Sequence, residues 1–109
     1  ADTIVKYSPG KYAISITVPD SAKHWAKING CGAAPVVTKL PNVSTSDGTT
    51  VQLSSWLGCA TGNAVQLYTI NNGGHTWPGS PYNASKQGVT SYDINGTLAV
   101  WEFVRAFTR

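Results

Sequence analysis

Charge is scarce in this chain of 109 residues: only 12% of its side chains are Asp, Glu, Lys or Arg, about half the share usual in globular domains. Ser, Thr, Asn and Gly fill the surface instead, a pattern common in secreted proteins and contrary to that of a nucleic-acid binder. The 8 basic and 5 acidic residues leave a formal net charge of +3. They form no basic cluster, so the charge balance names no anionic partner. No apolar run approaches a membrane span and no charged-then-apolar leader is present. A secreted or periplasmic chain is therefore expected, its export signal removed or lying upstream. Internal repeats and low-complexity segments are absent as well.

Cysteine and histidine are equally sparse. Cys31 and Cys59 are separated by 28 positions in glycine-containing turns, without the C-x-x-C spacing of metal or redox sites. A disulfide between them fits the secreted-type surface; two buried thiols are the alternative. His24 and His75 lie on unrelated segments with no acidic cluster beside them, which gives no metal ligand set. The one glycine-rich loop is not followed at once by a helix, so a phosphate cradle has no support. No cofactor is expected.

What remains is 41% hydrophobic, ordinary for a globular domain, and long enough for one core but not two. Residues 1–109 are read as a single domain or the C-terminal piece of one. After a turn at Ser8-Pro9-Gly10, Thr17 is a good helix N-cap, Pro19 suits the first turn and Asp20 favours the positive helix end. Val18, Ala22, Trp25 and Ile28 then fall on one helical face, with Lys23, His24 and Lys27 opposite, and Asn29-Gly30 ends the helix. His24 is a surface residue without a role. Val36 to Thr38 is a short strand candidate. Thr49 to Trp56 alternates as a strand, with Val51 and Leu53 on one face, and Asp47-Gly48 is the turn before it. Ala64 to Ile70 is the strongest strand, apolar on both faces and expected to be covered on both. The stretch from Ser80 to Thr90 is polar and without periodicity. A final helix, capped by Asp93 or Asn95 and running to about Phe107, is apolar around most of its circumference and needs a broad surface to cover it. Asn42, Asn83 and Asn95 each begin an N-x-S/T sequon, relevant only in a eukaryotic secretory host.

Beyond the strongest strand comes Asn71-Asn72-Gly73-Gly74-His75-Thr76-Trp77-Pro78-Gly79. Two glycines let the backbone turn sharply and present the imidazole at a strand end. Trp77-Pro78-Gly79 gives the loop a rigid apolar body and a second turn. A histidine on a loop beyond a strand end is where α/β enzymes commonly hold a general base. Read alone, Gly-Gly-His is better explained by a turn with a solvated histidine.

Several segments together carry a resemblance. The order Asp2…Trp25-Ala26-Lys27-Ile28-Asn29-Gly30-Cys31…Gly58-Cys59…Leu67-Tyr68-Thr69-Ile70, followed by the His75 loop through Gly79 and by Trp101-Glu102-Phe103, resembles the C-terminal portion of the polyhydroxybutyrate depolymerase and feruloyl esterase family of secreted α/β-hydrolases. It spans nearly all of this chain but only about the last third of such an enzyme. The implied fold is the C-terminal part of an α/β-hydrolase: a few strands and two main helices, with a sheet incomplete in this chain. In that family a His-Gly-Thr-x-Asp motif, followed by an apolar pair and a tyrosine, holds the catalytic acid. Ala1-Asp2-Thr3-Ile4-Val5-Lys6-Tyr7 looks like its end, which puts Asp2 in the place of the acid and His75 in that of the base. Lys6 stands where the family often has proline. Acid before histidine is the order α/β-hydrolases use after their serine. Trp77 either lines an acyl or aromatic pocket for substrate or braces the loop.

The departure from the family is the nucleophile: no Gly-x-Ser-x-Gly elbow occurs in these residues. Three expectations follow. The chain is the C-terminal part of a serine esterase acting on a polyester, feruloyl or short acyl ester, its abrupt start pointing to a cut and its serine supplied by a second chain or by absent sequence. Otherwise it is a non-catalytic module binding polyester, plant-wall ester or sugar through Trp56, Trp77 and Tyr82. A homo-oligomer pairing the apolar faces is the third.

Overall fold

Thr17 opens the first helix as its position predicts. In the computed structural model, which describes residues 1–8, 16–82 and 85–107, helix α1 covers Val18–Ile28 and the Thr17 hydroxyl accepts the Asp20 N–H at 3.1 Å. Pro19 occupies the first turn, where its missing N–H costs no hydrogen bond. Asn29 ends the helix, and Gly30 turns the chain away at φ +65°. Pro9 and Gly10 of the expected first turn, Asn83 of the second sequon and Arg109 lie outside the described residues.

Three strands follow: β1 (Val36–Lys39), β2 (Thr50–Trp56) and β3 (Val65–Asn71). They form one antiparallel sheet in the order β1-β2-β3, with Val37 opposite Ser54 and Thr38 opposite Leu53. Helix α2 (Gly96–Val104) comes last, after a single 3-10 turn at Ser85–Gln87. Among the described residues the fold is a small mixed α/β arrangement of two helices and a three-stranded sheet. No helix among the described residues is long and apolar enough to cross a membrane.

Two compact units divide the chain. One gathers Ala1–Val5, Leu40–Val51 and Ile70–Arg109; the other gathers Lys6–Lys39 and Gln52–Thr69. The second unit holds α1, the Cys31–Cys59 disulfide and a backbone hydrogen bond from Gly32 N to Leu57 O. The cysteines are thus paired, which resolves the alternative of two thiols. Tyr7 joins this unit through its hydroxyl, 3.0 Å from Thr69 Oγ1. The first unit is tied by polar side chains: Asp47 receives the N–H groups of Thr49 and Tyr92, and Asp93 receives that of Ser44.

Burial departs from the expected faces. On α1 the buried residue is Ala26, whereas Trp25 and Ile28 are exposed. From Thr49, just before β2, and along the strand the buried positions change parity, from Thr49 and Val51 to Ser54 and Trp56, and Leu53 is only half-buried. Strand β3 is half-buried to exposed along its length rather than covered on both faces. That fits an antiparallel sheet, which tolerates a solvated side. Helix α2 leaves Leu98, Val100, Trp101 and Val104 exposed.

Candidate functional site: the Asp2–His75 pair

Strand β3 ends in a tight turn whose geometry is not carried by its glycines. Asn72 takes the left-handed backbone, φ +60°, while Gly73 and Gly74 do not. Asparagine tolerates that region better than most side chains, and Asn72 Nδ2 donates to Gly48 O at 3.2 Å. The glycines serve a different need, which is space. A Cβ on Gly73 would lie 2.8 Å from Ile70 Cγ2, and one on Gly74 would run into the Gln87 carbonyl. The sharp turn is therefore Asn72's, and Gly-Gly permits close approach of backbone to its neighbours.

His75 follows, and its Nδ1 lies 3.1 Å from Asp2 Oδ2. The other carboxylate oxygen, Oδ1, accepts the Ile4 N–H at 2.8 Å and the Val5 N–H at 2.9 Å. Asp2 is thus fixed by its own chain on one side and faces the imidazole with the other. Burial alone would raise its pKa, but the Val5, Ile4 and His75 hydrogen bonds outweigh it and hold the carboxyl below its usual value. An ionised carboxylate only accepts, so Nδ1–H is the donor, and in the neutral imidazole Nε2 would carry the lone pair of a base. Among the described residues Nε2 has no hydrogen-bond partner, and the His75 side chain is 43% exposed against 22% for Asp2. The pair joins residues 73 positions apart, which no local pattern encodes.

Trp77 braces the loop. Its Nε1 donates to Thr97 Oγ1 at 3.0 Å, and its ring lies so close over Gly96 that a Cβ there would sit 3.0 Å from it. With the indole N–H satisfied, the 54% of the residue still exposed offers apolar ring surface two positions from His75. Tyr82 is exposed as well. Trp56, in contrast, is only 5% exposed and is not available to a ligand, which removes it from the expected binding set. His24 sits on the exposed side of α1 beside Trp25, with ring centroids 6.2 Å apart.

Two features were not expected from the sequence. The segment Gln87–Ser91, read as featureless, runs beside the His75 loop and takes hydrogen bonds from Gly74, His75, Thr76 and Gly79. A polar cluster also forms around Thr49 and Ser91, whose buried hydroxyls lie 2.7 Å apart. Asp93, one of two candidate caps for α2, belongs to that cluster. Asn95 is the cap, its Oδ1 accepting the Leu98 N–H at 3.0 Å.

No protein-family model, curated protein or solved structure matches this chain.

Proposed function

We propose that this chain is the acid–base portion of a secreted or periplasmic serine carboxylic-ester hydrolase of the α/β-hydrolase type, related to polyhydroxybutyrate depolymerases and feruloyl esterases. Asp2 is the acid, His75 the base, and the serine comes from sequence beyond these residues or from a second chain. The observation that carries the reading is the 3.1 Å contact between His75 Nδ1 and Asp2 Oδ2, with the opposite imidazole edge unengaged among the described residues. In such a site Nε2 takes the proton of a serine hydroxyl as it attacks the ester carbonyl, then returns it to the leaving alcohol. Asp2 holds the tautomer and stabilises the imidazolium. The exposed ring of Trp77 is suited to the apolar or aromatic part of a polyester, feruloyl or short acyl ester.

A second reading is a non-catalytic binding or homo-oligomeric module built on the same scaffold. It is favoured by the exposed apolar side chains of α1 and α2, Trp25, Ile28, Leu98 and Trp101 among them. Native mass spectrometry after treatment with a serine-reactive fluorophosphonate separates the two. The esterase reading expects a labelled second chain to travel with this one, or the label to reside on a longer form of it. Unlabelled self-association, with ester hydrolysis absent, would overturn it in favour of the module.

A further inference from the structure

We infer that the segment Gln87–Val89, seated by Gly88 against Gly74, is a positioning strap that holds His75 in register with Asp2. Its catalytic meaning rests on the esterase reading, but the geometry stands apart from it. Three consecutive loop residues are tied to this segment: Gly74 N to Val89 O at 2.8 Å, His75 N to Gln87 O at 2.6 Å, and Thr76 Oγ1 to Val89 O at 3.0 Å. The two backbones meet glycine on glycine. A Cβ on Gly74 would lie 2.7 Å from Gly88 Cα, and one on Gly88 would lie 3.0 Å from Gly74 Cα. Gly88 also holds φ +90°, a conformation that side-chain-bearing residues rarely adopt. The contact therefore admits no side chain on either segment without moving the other.

Outside the pair itself, Asp2 is coupled to such a movement by one bond only among the described residues, from Ala1 N to Gly73 O at 2.9 Å. The carboxylate is anchored to Ile4 and Val5 of its own segment, while His75 is anchored to the strap. The distance between them, 3.1 Å, already lies near the long end of the N–H···O range. A displacement of a few tenths of an ångström at Gly74 thus stretches the pair toward the limit of a hydrogen bond while leaving both side chains present. Gly88 touches neither acid nor base; it acts through Gly74 and the backbone of His75.

The test is the tautomer of His75, read by nitrogen-15 chemical shifts in the 109-residue chain under mildly alkaline conditions. A neutral imidazole free in water prefers its proton on Nε2; pairing with Asp2 puts it on Nδ1. Wild type is expected in the Nδ1–H form and Asp2→Ala in the Nε2–H form. Gly88→Ala is expected to lose at least half of the Nδ1–H population. Gly62→Ala is the control, since Gly62 also holds positive φ, +82°, but a Cβ there meets nothing within 4 Å; it should lose stability and keep the wild-type tautomer. If Gly88→Ala does not fold, Thr76→Val removes one tie at nearly constant volume and should lower the Nδ1–H population by a measurable part. A wild-type tautomer in whichever of these two variants folds overturns the strap and leaves the pair intact. An Nε2–H imidazole in the wild type overturns the pair itself, and the esterase reading with it.

Discussion

Thr49 and Thr90 have the same side chain and the same burial, 1% exposed each, yet valine should shift stability in opposite directions at the two positions. The Thr49 hydroxyl lies 2.7 Å from Ser91 Oγ and 2.8 Å from Asp47 Oδ1. Thr49→Val strips the buried Ser91 hydroxyl of its near partner, at a cost of roughly 1–3 kcal/mol. Thr90 Oγ1 is buried with no hydrogen-bond partner among the described residues, so its desolvation is uncompensated. Thr90→Val removes that group at almost constant volume and should stabilise by roughly 1–2 kcal/mol. The two variants are then separated by roughly 2–5 kcal/mol, and at about 4 °C per kcal/mol for a domain of this size by roughly 8–20 °C in Tm. Thermal and urea denaturation followed by circular dichroism measure this, provided the m-value is shared. The double variant Thr49→Val/Ser91→Ala should cost less than the sum of its parts, because the shared Thr49–Ser91 hydrogen bond is lost only once. A Thr90→Val protein destabilised as much as Thr49→Val would refute the reasoning, because it would mean that satisfaction of the hydroxyl does not decide the sign.

The remaining predictions concern charge, cross-link and chemistry. Asp47 is held at a pKa of about 2, first by the Tyr92 N–H, then by Thr49, against the opposing effect of burial. A depressed folded pKa gives stability that is complete above the unfolded value of about 3.9 and is lost as pH falls toward the folded one. The urea midpoint should therefore fall between about pH 4 and 2, and Asp47→Asn should flatten that part of the profile; parallel profiles would contradict it. The Cys31–Cys59 bond closes a separation of 28 residues, so Cys31→Ser/Cys59→Ser should cost roughly 3–4 kcal/mol by loop-closure entropy. A gain of two alkyl groups in the intact mass on alkylation without prior reduction would exclude the bond. In a complete, serine-bearing enzyme, Asp2→Asn should lower kcat roughly 10^4-fold with little change in KM, measured on a chromogenic short-chain ester; full activity in that variant would remove Asp2 from the mechanism.

The helices were legible because their boundaries are local. Thr17, Pro19, Asp20 and Asn29-Gly30 all act within a turn of one end of α1, and each does what its chemistry requires. Strand β2 was legible by alternation and β3 as a run apolar on both faces, each to within one residue. Cover was not. Periodicity finds which residues are apolar, and Trp25 and Ile28 share the helical stripe of Val18 and Ala22, yet the chain leaves them exposed while Ala26 is buried. The C-terminal helix shows the same division. Its N-cap is a short-range hydrogen bond and was one of two expected candidates, whereas the helix ends at Val104 and the chain reaches Phe107 through i→i−3 bonds, Ala106 N to Phe103 O and Phe107 N to Val104 O, which the apolar pattern does not register.

The candidate site divides along the same line. A glycine pair before a histidine is visible in sequence, but the purpose of that pair is not. Glycine permits both a left-handed turn and a close approach, and the two leave the same letter. Here the turn falls to Asn72, and the space at Gly74 is needed for a partner, Gly88, in a stretch with no periodicity to flag it. Asp2 posed the harder problem, since an aspartate beside a chain terminus reads locally as a solvated residue. Its significance depends on a hydrogen bond spanning 73 positions, and the family resemblance was the one means of anticipating it. Catalytic pairs are drawn from separate segments because the fold, rather than the local chain, must set a distance of about 3 Å. Local sequence can therefore nominate an acid and a base, but their register is set by backbone contacts such as Gly74 against Gly88.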